Sequence, residues 1–127
     1  MQRLTVIALG GVLGSLARYA VPLGLGEQAY DAGPAAWPWA TLSVNLVGAL
    51  LIGLIAASAW VDSGPSWRGP FLITGVLGGF TTFSAFALET GGMLDSGRIG
   101  LAAVYVVVTL AAGLVAVRIG IRLGRPR

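Results

Sequence analysis

The chain contains no cysteine, no histidine and no lysine, and only 10% of its residues are charged. Without cysteine there are no disulfides and no thiol chemistry. Without histidine the commonest zinc ligand and the side chain that titrates near neutral pH are both missing. Acids are scarce as well, limited to Glu27, Asp31, Asp62, Glu89 and Asp95. Glu89 is the only carboxylate clearly within an apolar segment, and it stands there without the partner that acid–base catalysis requires. An enzyme is therefore not expected.

What the chain has in excess is apolar surface: 56% of its 127 residues are hydrophobic and its mean hydropathy is +0.85. A soluble globule of this size must cover itself with polar residues, so the composition points to an integral membrane protein with one compact domain. All the basic residues are arginines, and Arg118, Arg122, Arg125 and Arg127 crowd the C-terminus. No aromatics alternate with them to stack on bases, so they suit anionic lipid rather than nucleic acid.

Four segments, residues 4–25, 40–60, 69–93 and 99–123, reach the roughly 20 residues a helix needs to cross hydrocarbon. The expected fold class is an all-α bundle of four transmembrane helices in a single domain, residues 1–127. Arg3 before an apolar run resembles a secretion signal. Arg18 and Tyr19 interrupt that run too late, however, and three more spans follow, so the first segment is read as retained. Trp37, Trp39, Trp60 and Trp67 stand at span ends, where amphipathic rings suit the headgroup level. Four spans put both termini on one side. That side collects Arg3, Arg68 and the four C-terminal arginines, against Arg98 on the other, which predicts cytoplasmic termini. Gly10/Gly14, Gly75/Gly79 and Gly120/Gly124 have the small-xxx-small spacing that lets helices approach closely, and together they suggest a tightly packed, oligomeric assembly.

The third segment is the least lipid-like. Gly78-Gly79-Phe80-Thr81-Thr82-Phe83-Ser84-Ala85-Phe86 packs glycines, hydroxyls and rings where a simple span would use Leu, Ile and Val. Paired glycines followed by two threonines predict a helix that opens in mid-membrane, and irregular backbone there persists only where protein buries it or where it lines a path. Phe83 and Phe86 share a face, with Glu89 three residues further on, and they bracket the Ser84 hydroxyl. Aromatic rings have electropositive edges, able to hold an anion more weakly than a buried cation would.

In the second segment Thr41, Asn45 and Gly48 fall at i, i+4 and i+7, one helical face. The Asn45 carboxamide either bonds a neighbouring helix or turns its N–H groups to a permeating anion. Tyr105 and Thr109, also four apart, either extend the polar track or bond a neighbouring helix. Arg18 and Glu89 are charges near span ends, and a water-filled vestibule suits them.

Taken together, the chain resembles the small fluoride channels of the Fluc/CrcB family over essentially its whole length. The first span carries Gly10-Gly11-Val12-Leu13-Gly14 through Arg18-Tyr19, the second Thr41-Leu42-Ser43-Val44-Asn45-Leu46-Val47-Gly48, and the third the Gly78 to Phe86 motif, with Ala85 where the family often has threonine. The resemblance implies an antiparallel two-subunit channel with two fluoride pores. Phe83 and Phe86 would line the pores by their ring edges, Asn45 would donate to the ion, and Ser84, Tyr105, Thr109 and Thr41 would belong to the polar track. It also implies a structural Na+ on the two-fold axis, held by the backbone carbonyls of Gly78 and Thr81, and passive fluoride export across the inner membrane. The arginine bias is unusual for a chain inserting in both orientations, so a heterodimer with an oppositely oriented paralogue is expected rather than a homodimer. A four-helix multidrug exporter would need a carboxylate deep in its first helix, where this chain has Gly14, Ser15 and Arg18. A non-transporting scaffold, with Asn45 and the phenylalanines as glue, is the other alternative.

Overall fold

A computed structural model describes residues 2–25 and 36–126, with no side-chain description for Leu25 and Asp62. Glu27, Asp31 and Pro34 of the first loop and the terminal Arg127 lie outside the described residues. Among the described residues all regular structure is helical and there is no strand. Four stretches are long and apolar enough to cross a membrane: Gln2–Gly24, Trp39–Ala56, Pro70–Asp95 and Ile99–Gly124. The protein is a multi-pass membrane protein.

The elements in chain order are α1 (Gln2–Leu25), α2 (Trp39–Ala56), a single turn α3 (Ala59–Asp62), α4 (Pro70–Leu77), α5 (Gly78–Phe80), α6 (Phe83–Asp95) and α7 (Ile99–Gly124). α2 stops at Ala56, short of Trp60, although the sequence stays apolar. Ser58 there is extended and its hydroxyl donates to the Ile55 carbonyl at 2.8 Å, capping the outgoing turn. The loop that follows is pinned by Arg68, whose guanidinium lies 4.1 Å from the centre of the Trp60 ring and donates to the Trp60 carbonyl at 2.8 Å. α4 begins at Pro70, whose missing N–H is harmless in a first turn, and winds with π-type i→i+5 hydrogen bonds.

Two helix pairs form the body: α1 lies along α4 and α5, and α2 along α7. Glycine sets both contacts. A methyl group on Gly10 would lie 2.5 Å from the Phe71 carbonyl oxygen and 3.0 Å from the Gly75 Cα, and one on Gly79 would lie 2.6 Å from the Gly11 carbonyl. On the other pair, Gly120 and Gly124 sit against the Leu50 and Leu54 carbonyls of α2. The three small-xxx-small motifs are thus used within the chain, and they carry no argument for a second copy.

The interior is small. Leu42, Met93, Ala102 and Tyr105 form a cluster between α2, α6 and α7, with Trp37, Leu46 and Phe86 packed against it. Elsewhere large apolar side chains face outward, among them Leu9, Val12 and Leu16 on α1 and Val107, Leu110 and Leu114 on α7. In water such a surface would be untenable; against acyl chains it is the ordinary exterior.

Candidate functional site

The site is built where one face of α2 meets the α5–α6 junction. The chain leaves helical geometry at Thr81 (φ −76°, ψ 157°) and Thr82 (φ −147°, ψ 123°), and resumes it at Phe83. Each backbone group near this passage needs a partner away from water. Thr81 closes the preceding turn, its N–H and hydroxyl both donating to the Leu77 carbonyl at 2.9 Å. Thr82 opens the next, its hydroxyl oxygen accepting from the Ala85 N–H at 3.2 Å as an N-cap. The remaining groups of Thr82 are met by Asn45. The Thr82 N–H donates to Asn45 Oδ1 at 2.8 Å, and Asn45 Nδ2 donates to the Thr82 carbonyl at 3.0 Å. In a continuous helix that N–H would have gone to the Gly78 carbonyl.

All three residues of the α2 face are used against this stretch. Gly48 lies against the Thr81 methyl, leaving no room for a side chain of its own. Asn45 holds Thr82, and one turn earlier the Thr41 hydroxyl donates to Glu89 Oε1 at 2.5 Å. The other carboxylate oxygen of Glu89 accepts from the Tyr105 hydroxyl at 2.7 Å. Glu89 therefore ties α2, α6 and α7 together, through a threonine 8% exposed and a tyrosine fully buried.

A cleft of about 580 Å³ opens beside this network, lined by Ser15, Arg18, Thr41, Thr82 and Glu89 among others. The Arg18 guanidinium donates to the Thr81 carbonyl at 3.1 Å. The two charges expected in a vestibule thus line one cavity.

The rings form a continuous ladder. Phe83 and Phe86 have centroids 5.7 Å apart, Phe86 and Tyr105 5.2 Å, and Tyr105 and Trp37 5.5 Å. Phe83 is 78% exposed, whereas Phe86 packs on the core. Ser84 is exposed next to Phe83, its hydroxyl 3.1 Å from that of Thr82. Two buried side-chain polar atoms have no hydrogen-bond partner among the described residues, Thr109 Oγ1 and Trp37 Nε1.

Residues 5–121 match the family described as CrcB-like protein, Camphor Resistance (CrcB). The chain belongs to the CrcB family. It is 42% identical over 127 residues to the fluoride-specific ion channel FluC of Agrobacterium fabrum, covering 98% of each chain. Against the FluC of Paracoccus denitrificans the identity is 45% over 119 residues, covering 94% of this chain and 91% of the relative. The FluC of Thermus thermophilus is 43% identical over 124 residues, covering 98% and 96%.

This CrcB family member brings Thr41, Glu89 and Tyr105 into one hydrogen-bonded group and sets Phe86 against it, with Phe83 and Ser84 beside it on the outer surface. Asn45 is engaged with the backbone of Thr82, which takes its carbonyl and one N–H and leaves one further N–H donor by valence. Gly78 opens α5 and Thr81 follows its end, the Thr81 carbonyl accepting from Arg18. Two participants escaped the sequence reading. Thr82, whose peptide and hydroxyl organise the passage, had a signal in its position as a threonine opening an apolar run, the mark of an N-cap. Trp37 had none, because its place against Tyr105 is set by packing between distant segments.

Proposed function

We propose that the chain is one subunit of a fluoride-selective channel, and not an enzyme. The observation that carries this reading is the line of packed rings from Phe83 through Phe86 to Tyr105, in a chain nearly colinear with proteins named fluoride-specific ion channels. A small halide gives up a tightly held water shell only for replacement donors. Hydroxyl and amide hydrogens and ring edges supply weak positive potential from which the ion can also leave. Ser84, Thr109 and the spare N–H of Asn45 are donors of that kind, while Thr41 and Tyr105 give their single hydroxyl protons to Glu89 and would serve the ion only by turning from it. Arg18, lining the cleft, draws anions in without holding them in the narrow path, and Glu89 fixes the Thr41 and Tyr105 hydroxyls.

The assembly in this proposal is an antiparallel pair with a pore on each side. Phe83 and Ser84 are exposed on the single chain, and a hydroxyl and a pore ring turned to lipid make little sense until a second subunit covers them. The passage through Thr81 and Thr82 lies at membrane depth, as a break in the third span. The residues fit half of a cation site near the two-fold axis. The Gly78 carbonyl has lost the Thr82 donor that a continuous helix would give it, and the Thr81 carbonyl is released from helical pairing, with one lone pair used by Arg18. Two such pairs of carbonyls make an all-oxygen set suited to Na+, which would supply charge compensation to the freed carbonyls at the interface. The channel sits in the inner membrane with cytoplasmic termini, pairs with an oppositely biased paralogue, and lets the membrane potential drive fluoride out, lowering its cytoplasmic level.

The deciding experiment is ion efflux from liposomes holding the purified protein, with and without a candidate paralogue. Fluoride should pass and chloride should not; passage of both, or of neither under either condition, overturns the reading. A reporter on the C-terminus equally active on both faces of the membrane would reject the single orientation.

A further inference from the structure

Trp37 sets itself apart from the other three tryptophans. Trp39, Trp60 and Trp67 are 64%, 51% and 46% exposed, as expected of rings at a membrane interface, while Trp37 turns inward and packs on the core cluster. Its ring meets Tyr105 near edge-on, at 75° between planes, and so continues the ladder past the tyrosine that Glu89 holds. Its indole nitrogen is buried without a hydrogen-bond partner.

An indole N–H can only donate, and a buried donor left unpaired is a rarity that calls for an unseen partner, a water or an ion. The partner must be an acceptor, and among the described residues no side-chain or backbone acceptor fills the role. The one other buried orphan among the described residues, the Thr109 hydroxyl, lies one helical turn beyond Tyr105 on the same face of α7. Tyr105 thus has an unpartnered polar atom in the ring packed against it and another on the next turn of its own helix. Groups of this kind, neutral and electropositive at hydrogen, are what a desolvated halide needs.

We propose that the Trp37 indole N–H is a further fluoride donor, extending the path beyond Tyr105. This rests on the fluoride-channel reading. The chemistry is that of a neutral N–H beside an aromatic wall, strong enough to replace one water and too weak to trap the ion.

Trp37→Phe removes the N–H and keeps an aromatic ring for Tyr105. In liposomes this variant should pass fluoride about tenfold more slowly than the parent, the change expected from about 1.4 kcal/mol of lost donor interaction, with its assembly in detergent unchanged. A second measurement does not depend on that variant folding. In W39F/W60F/W67F, Trp37 is the only tryptophan, and its fluorescence should shift as fluoride is added and stay constant with chloride. Parent-like fluoride efflux by Trp37→Phe, or Trp37 emission indifferent to fluoride, overturns the proposal. A parent protein that passes no fluoride is a different failure, that of the channel reading itself.

Discussion

Asn45 and the Thr82 peptide face each other through two reciprocal hydrogen bonds, 3.0 Å from Nδ2 to the carbonyl and 2.8 Å from the N–H to Oδ1. The side chain imitates the partner that a neighbouring strand or helical turn would give an extended peptide. Asn45→Ala leaves the Thr82 carbonyl without its partner, at about 1–3 kcal/mol, and forces the Thr82 N–H to seek another acceptor. The variant should melt well below the parent in detergent and lose fluoride efflux. Unchanged melting with lost efflux would show that the clamp is dispensable and that the side chain acts on the ion alone.

Phe83 and Phe86 separate the proposed pore role from packing. Phe83 is 78% exposed on the single chain, whereas Phe86 lies between Phe83 and Tyr105. Phe83→Ile should abolish fluoride efflux while the subunit's own fold stays intact. Phe86→Ile should lower melting as well, because it opens space against the tyrosine. Equal destabilisation by both, measured by thermal unfolding, would place Phe83 in the core instead.

Glu89 accepts from Thr41 and Tyr105 through separate oxygens. Hydrogen bonds to a charged group contribute about 1.5–3 kcal/mol, and two that share one carboxylate are not independent. Thr41→Val and Tyr105→Phe should therefore each lower stability and fluoride efflux, and the double variant should depart from their sum by about 0.5 kcal/mol or more. Additive losses in a double-mutant cycle would show that Glu89 does not link the two.

The glycine contacts give a prediction with an internal control. An added methyl at Gly79 would lie 2.6 Å from the Gly11 carbonyl, while one at Gly100 meets nothing within 4 Å. Backbone cannot retreat as a flexible side chain can, so Gly79→Ala should lose about 1–3 kcal/mol. Gly100→Ala should be neutral or slightly stabilising through helix propensity. Melting temperatures in detergent decide between these, and a stable Gly79→Ala would mean that α1 stands further from α5.

The four apolar segments were legible because a membrane span leaves a long compositional trace, and the α2 face was legible from its i, i+4, i+7 spacing. What that face touches was not. Asn45 meets backbone, which leaves no residue-type signal, and the choice between helix contact and ion contact could not be made from the carboxamide alone. Trp37 illustrates the same limit. At a span end its sequence position is that of an interface ring, and only the fold brings it against Tyr105. The glycine pairs were legible as close-contact sites, but the sequence could not say that their partners lie in the same chain.

The final prediction joins the Asn45 clamp to the proposed cation. The Thr82 N–H is drawn to Asn45 and so kept from the Gly78 carbonyl, which makes Gly78 available as a ligand together with Thr81. Replacing Na+ with a bulky organic cation in the buffer should therefore lower the melting temperature of the assembled channel, since binding to the folded assembly alone stabilises it. With Asn45→Ala the Thr82 N–H is free to return to Gly78, and the Na+ dependence of melting should shrink or vanish. The two measurements test different links. A parent protein whose melting ignores Na+ rejects the cation site. A parent that responds to Na+ beside an Asn45→Ala variant that responds equally rejects the idea that the carboxamide keeps the Gly78 carbonyl open.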